Sequence, residues 1–279
     1  MSHVFRKLAI LAGTSLAGWT LLIRPRTQSP KMLEDLKKYD YAHRGLHDLE
    51  KGIPENSMEA FRRAVDDGFG IELDVHILRD GELVVIHDSN LKRLCGIERT
   101  IEDMTWCEVG KLRLQGTEER IPLLRDVLSL VGGRVPLLIE IKPEQGNHKE
   151  LCAAVCRMLR SYGGMYWIES FDPRVVAWLK KHEPGLVRGQ LLTYLRKNET
   201  RDFPAILDFI LRNLLTNCWT RPDFIAYHHE ERDNLSLRLC RKLYNVCQAD
   251  WTIRTPEEYH EVKKDGSIAI FEHFNPKAL

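Results

Sequence analysis

Four short stretches of this chain carry side chains that a fold alone does not require. Ile71-Glu72-Leu73-Asp74-Val75 sets two carboxylates two residues apart in an apolar run, and Glu140-Ile141-Lys142 repeats the spacing with an acid and a base. His43-Arg44-Gly45 and His87-Asp88 each put an imidazole beside a charge where an apolar run ends. Residues two apart on a strand share a face. If Glu72, Asp74 and Glu140 met at about 4 Å, each pair would repel by roughly 4 kcal/mol at an effective dielectric near 20. A hard divalent cation with oxygen ligands, Mg²⁺ or Ca²⁺, removes that repulsion. Zinc fits less well, since no Cys or His sits at ligand spacing. Arg44 and Lys142 supply positive charge for a phosphate, and His43 and His87 serve as acid and base near neutral pH. Singly, each has an ordinary reading: strand-end carboxylates are mostly salt-bridged, and His-Asp is common in loops. Together they describe metal-assisted phosphodiester cleavage.

Such a site needs strands to hold it. Apolar runs at Tyr39–His43, Ile71–Val75, Leu83–Ile86, Leu137–Ile141, Tyr166–Ile168, Val187–Leu191, Phe224–Ala226, Val246–Ala249 and Ile268–Phe271 read as strands. Helical spacing marks Ser57–Asp67, Leu123–Val131, His148–Tyr162, Arg174–His182, Pro204–Leu215, Ser236–Leu243 and Pro256–Lys264. Alternating strands and helices with short connectors predict an α/β fold, a TIM-type (β/α)8 barrel over residues 38–279 with its chemistry at the strand ends. Arg79-Asp80-Gly81-Glu82 is too short for a crossover, so an extra β-hairpin is expected, with Asp80-Gly81 as its two-residue loop. That register sets Asp74 opposite His87. The polar stretch from Asp88 to Arg120 reads as an inserted subdomain or long loop.

Composition narrows the field. With 41 Lys+Arg against 40 Asp+Glu the 279-residue chain has a formal charge of +1, so no nucleic-acid partner is expected. Seven Cys with no CxxC pair argue against a disulfide framework or a zinc ribbon.

Residues 1–30 differ from the rest. Arg6 and Lys7 precede an uncharged run from Leu8 to Ile23, closed by Arg24 and Arg26. As a helix, residues 8–23 are near the short end of what crosses a bilayer, so an uncleaved membrane anchor is the expectation and a signal peptide its rival. The excess of Lys and Arg after the run, and the unpaired cysteines, lean toward a cytoplasmic catalytic domain. The apolar Pro204–Leu215 either packs on the barrel or lies on the bilayer.

The chain resembles the glycerophosphodiester phosphodiesterase family. The carrying residues are Ala42-His43-Arg44-Gly45, Pro54-Glu55-Asn56-Ser57, Ile71-Glu72-Leu73-Asp74-Val75, Asp80-Gly81, Val84-Val85-Ile86-His87-Asp88, Ile121-Pro122, Glu140-Ile141-Lys142, Ser170-Phe171 and Trp251-Thr252, in family order. The resemblance implies a TIM-type barrel that hydrolyses glycerophosphodiesters to glycerol 3-phosphate and an alcohol. It assigns His43 and His87 as the acid/base pair, Glu72, Asp74 and Glu140 as ligands of one divalent cation, and Arg44 and Lys142 as phosphate contacts. Trp251 then closes one wall on the glycerol carbons, or is a core tryptophan. Alternatives are phospholipase D-like hydrolysis of lysophospholipid head groups and a degenerate binding barrel. Two departures fall at the expected mouth: Arg254 where the family usually has Asn, and Glu272-His273 where it usually has an Asp before the last loop. Glu55 reads as part of a helix start, His76, His228 and His229 as structural, and Cys152 and Cys156 as core.

Overall fold

The computed structural model describes residues 16–26, 31–194 and 204–279. Its strands are β1 (Tyr41–Ala42), β2 (Gly70–Ile77), β3 (Leu83–Val85), β4 (Leu137–Ile141), β5 (Tyr166–Ser170), β6 (Arg188–Leu192), β7 (Phe224–His228), β8 (Cys247–Ile253) and β9 (Ile268–Phe271). All except β3 run parallel and close through β1, which pairs with both β2 and β9, so the TIM-type barrel is present. Helices separate successive barrel strands, as the parallel crossovers require.

Alternation along the strands divides two kinds of interior. On β2, Ile71, Leu73 and Val75 pack outward with Phe61, Ala64 and Val65 of the helix Met58–Asp66. Leu137, Ile139 and Ile141 of β4 join the same layer. The intervening positions point into the barrel, where Leu138, Trp167, Phe224, Ala249 and Ile270 fill the lower part. Leu33 and Leu36 of the short helix Met32–Leu36 join that cluster with Tyr41. Apolar packing thus stops partway up, and the inward positions above it are Glu72, Asp74 and Glu140. Ser57 caps the helix Met58–Asp66, its hydroxyl accepting from the Ala60 amide at 3.2 Å.

The extra hairpin is present but its register differs from expectation. Val75 pairs with Val85 and Ile77 with Leu83. The loop is therefore three residues, Arg79-Asp80-Gly81, closed by the Gly81 amide donating to the Leu78 carbonyl, with Gly81 at φ +85°. A left-handed third residue is the usual solution for that loop length. Asp74 consequently lies opposite Ile86, whose amide donates to the Asp74 carbonyl, and not opposite His87. The one-residue shift would turn His87 away from Asp74 on a continuing strand. The chain instead leaves the strand after Val85 and bends at His87.

The polar stretch from Asp88 to Arg120 is a subdomain with its own core, in which Leu91, Leu94, Ile101, Met104, Val109 and Leu114 pack against Val84 and Ile86. The N-terminal expectation needs a larger correction. Among the described residues no helix is long and apolar enough to cross a membrane. Residues 16–22 form a helix along the barrel wall, with Ile23 fully buried beside Leu237 and Cys240. Trp19 and Ile23 thus pack on protein while Leu16, Leu21 and Leu22 stay exposed, and the span expected over residues 8–23 is not found among residues 16–23. Residues 1–15 lie outside the described ones.

Two glycines separate strain from crowding. A Cβ at Gly81 meets nothing within 4 Å, whereas at Gly45, φ +81°, it would lie 2.9 Å from the Ala60 backbone carbon. Gly81→Ala should therefore cost about 1 kcal/mol, and Gly45→Ala several times more. Urea midpoints measure both, and equal losses would contradict the close approach of the β1 loop to the helix Met58–Asp66.

Candidate active site

Glu72 and Asp74 stand on β2 and Glu140 on β4, where the register pairs Asp74 with Glu140. Each offers an oxygen within 4.8 Å of the others, and all three are buried. The predicted convergence of these three residues is found. Lys142 follows β4 and sets its ammonium 2.9 Å from Glu140 and 3.2 Å from Asp74. Arg44, in the loop after β1, donates its backbone amide to Glu72 at 2.9 Å and holds Nε 3.6 Å from Asp74.

Burial and crowding set the charges. Burial, then the charges of Asp74 and Glu140, push Glu72 well above the usual carboxylate range. Burial raises Glu140 to about 7 despite the pull of Lys142. For Asp74 burial is outweighed: Lys142, His87, Arg44 and a 2.7 Å hydrogen bond from Asn56 hold it well below its ordinary value. Burial opposes the charge on Lys142 as well, yet Asp74 and Glu140 raise it.

A fourth carboxylate, which the sequence reading missed, shares the chamber. Glu169 on β5 pairs in register with Glu140 and is buried. Its Oε2 has no hydrogen-bond partner among the described residues, and burial with the neighbouring Glu140 pushes it well above its ordinary value. Reading that strand one residue further, with Trp167 pointing in, would have found it. Hard oxygen donors, one of them orphaned, and an ammonium seated between two of the acids fit a divalent cation. Glu72, Asp74 and Glu140 would hold it.

Both histidines reach this chamber. His43 and His87 line one recess with Arg44, Glu72, Glu140, Glu169 and Trp251. Each imidazole is gripped from behind by a carboxylate. His43 Nδ1 lies 2.5 Å from Glu272, and His87 Nδ1 lies 2.6 Å from Asp88. Each carboxylate is in turn held by an arginine, Arg254 on Glu272 at 2.8 Å and Arg93 on Asp88 at 2.6 Å. The two departures from the family pattern are thus partners of each other. Both carboxylates sit far below their ordinary values, against burial, through the histidine and arginine contacts. With the proton held at Nδ1, Nε2 of each ring is free to accept one. Burial, followed by Arg44 for His43 and Lys142 for His87, lowers both imidazoles, His87 to about 4.

Other expectations are settled by their contacts. Glu55 is not the helix cap, a role Ser57 takes. Its carboxylate bridges Arg44 at 2.7 Å and Arg93 at 2.8 Å, which lowers it to about 2 although burial opposes. Trp251 sits in the recess wall, edge-on to Phe171 and His228. His76 braces the site from below, bonded to Glu102 and to the His87 carbonyl oxygen. Cys152 and Cys156 are buried in the outer core as expected. Next to the recess, and sharing His87, Glu140 and Phe171 with it, opens a cleft of about 530 Å³ lined also by Lys142, Asn90 and Asp172.

A family model described as the glycerophosphoryl diester phosphodiesterase family matches residues 43–275, and the chain belongs to that family of enzymes. A glycerophosphodiester phosphodiesterase of Caldanaerobacter subterraneus subsp. tengcongensis is 42% identical over 166 residues, 56% of this chain and 67% of that protein. Human lysophospholipase D GDPD1 is 32% identical over 171 residues, 57% of this chain. The matched part spans only about half, 52%, of that human protein's length. Among solved structures, an Oleispira antarctica phosphodiesterase in complex with the product sn-glycerol-3-phosphate aligns with a TM-score of 0.71 at 21% identity, covering 90% of this chain and 97% of that one. That likeness shows the fold.

The raised acids give a signed prediction for the metal-free protein. Glu72 and Glu140 keep protons in the folded state that the unfolded chain has lost by pH 7, so stability falls as pH rises. In EDTA the melting temperature should drop by several degrees between pH 6.5 and 8.5, and excess Mg²⁺ should flatten the slope. A flat profile in EDTA would show that the three acids do not share one buried chamber.

Proposed function

We propose that this protein hydrolyses glycerophosphodiesters to glycerol 3-phosphate and an alcohol at the chamber between β2 and β4. The observation that carries the reading is the pairing of two carboxylate-backed histidines, His43 and His87, across one cluster of buried acids. A divalent cation held by Glu72, Asp74 and Glu140, Mg²⁺ or Ca²⁺, supplies neutralisation of phosphate charge when bound. Arg44 and Lys142 meet the remaining phosphoryl oxygens, and the Glu55 bridge keeps the Arg44 guanidinium facing the recess. One histidine accepts at Nε2 the proton of the oxygen that bonds to phosphorus, and the other, protonated, returns one to the leaving alkoxide as its phosphorus–oxygen bond breaks. The attacking oxygen is either that of water, giving glycerol 3-phosphate directly, or the neighbouring glycerol hydroxyl, in which case water then opens the cyclic phosphate with the two histidines exchanging roles. Glu272 and Asp88 stabilise the imidazolium each ring becomes in turn. Trp251 and Phe171 offer edges and faces to the glycerol carbons.

The second reading is hydrolysis of lysophospholipid head groups on the same residues. The named activity of the human relative favours it, as does the open cleft beside the recess, which leaves room for a long leaving or acyl group.

Choline release from glycerophosphocholine, compared with release from lysophosphatidylcholine, separates the two readings. Release should vanish in EDTA and return with Mg²⁺ or Ca²⁺. His43→Ala and His87→Ala should each lower kcat by about 10²–10⁴-fold with the fold intact. Undiminished turnover in either variant would remove that histidine from the reaction. Glu272→Gln should reduce kcat by about tenfold or more and displace the pH–rate profile, since it weakens the support of the His43 imidazolium. A change in KM alone would assign Glu272 to substrate contact.

A further inference from the structure

Helix Ala205–Arg212, between β6 and β7, is inside out. Its one acid, Asp208, is 4% exposed and sits with Leu211 on the barrel side, while Ile206 is 68% and Phe209 47% exposed and Leu207 also faces solvent. Packing on the barrel alone would have buried those three and turned Asp208 out. Two other elements meet this helix at one point. The hydroxyl of Ser236, in the first turn of the helix Leu235–Tyr244, accepts from the Trp19 indole at 3.1 Å and contacts the Asn213 side-chain oxygen at 3.4 Å. Around that junction Leu16, Leu21 and Leu235 are each more than half exposed, and Leu22 is exposed as well.

The course of the N-terminal segment sets the orientation of this patch. Trp19 lies against Ser236, near the end of the barrel where β7 delivers its chain. Ile23 reaches Asn217 and Cys240, and the Arg26 amide bonds to the Pro222 carbonyl at the opposite end, where β7 begins. Position 16 is therefore on the mouth side, and in the sequence the uncharged run continues from it back to Leu8. Exposed Arg238 and Lys242 lie between Leu235 and Leu243, cations suited to anionic head groups beside an inserted apolar face.

We propose that this three-element patch is a bilayer-contact face: residues 16–22, Ala205–Arg212 and the start of Leu235–Tyr244 lie in the head-group layer of a phospholipid membrane and hold the barrel mouth toward it. The occupant is lipid, and the apolar run ending at the patch is the feature that selects it. The placement of the mouth deepens the proposed function, because it presents the chamber to a substrate drawn from the bilayer.

Flotation of the full chain with vesicles of phosphatidylcholine and phosphatidylglycerol tests it. Wild type should float. The double variant Ile206→Glu/Phe209→Glu, and separately Leu16→Glu/Leu21→Glu, should weaken vesicle affinity by about tenfold or more with unchanged melting temperature. Both should keep the rate on soluble glycerophosphocholine and lose rate on lysophosphatidylcholine embedded in vesicles. Wild type that stays with the soluble fraction, or variants that float as wild type does, would overturn the proposal. So would a dimer that the substitutions dissociate while vesicle binding persists, since the patch would then be a subunit interface. Vesicle binding is read without turnover, so loss of the phosphodiesterase reading alone leaves wild-type flotation intact.

Discussion

The repulsion among Glu72, Asp74, Glu140 and Glu169 is the constraint on which the rest of the site depends. Four carboxylates inside a barrel are costly to ionise together, and the structure distributes the charge unequally among them. Asp74 stays ionised because Lys142, Arg44 and Asn56 surround it, while Glu72, Glu140 and Glu169 are raised by burial and by one another. A chamber of this kind has stored a preference for one more positive charge. The Lys142 ammonium meets part of it, and a divalent cation would meet the remainder.

The same economy governs the histidines. Neither ring touches the acid cluster with its Nδ1; each turns that nitrogen to a separate carboxylate, and each carboxylate is fixed by an arginine. Arg93 also bonds Glu55, which bonds Arg44, so the Arg44 guanidinium and the His87 support form one chain of contacts. Glu272 and Arg254 give His43 an equivalent support from the other side of the barrel. The two rings are thereby oriented, with Nε2 of each turned away from its supporting carboxylate.

Away from the chamber, the N-terminal segment shows how a hydrophobic run divides its surface. Trp19 and Ile23 pack inward on the wall made by Leu237 and Cys240, and Leu21 and Leu22 are left outside. A helix that buries one side on protein and leaves the other apolar lies along an interface more readily than across a bilayer.

The sequence by itself settled the barrel, since alternation of apolar runs with helical spacing leaves few other arrangements, and it put Glu72 and Asp74 on one face, since residues two apart on a strand must share it. The β2–β4 register then decided that Glu140 meets them. The closing of the N-terminal helix onto the barrel was hidden, because an uncharged run reads the same whether lipid or protein covers it. Register in the β2–β3 hairpin was hidden too: Asp80-Gly81 is compatible with loops of two or three residues, and only the pairing of Val75 with Val85 decides between them. Glu169 was missed because β5 runs on past its apolar run, whereas Arg93 and the Glu272–Arg254 pair were beyond reach for a different reason. Their meaning lies in contacts between distant segments, 38 residues apart for Arg93 and Glu55 and 229 for Glu272 and His43, and charge pairing across such distances is fixed by tertiary closure, not by local pattern.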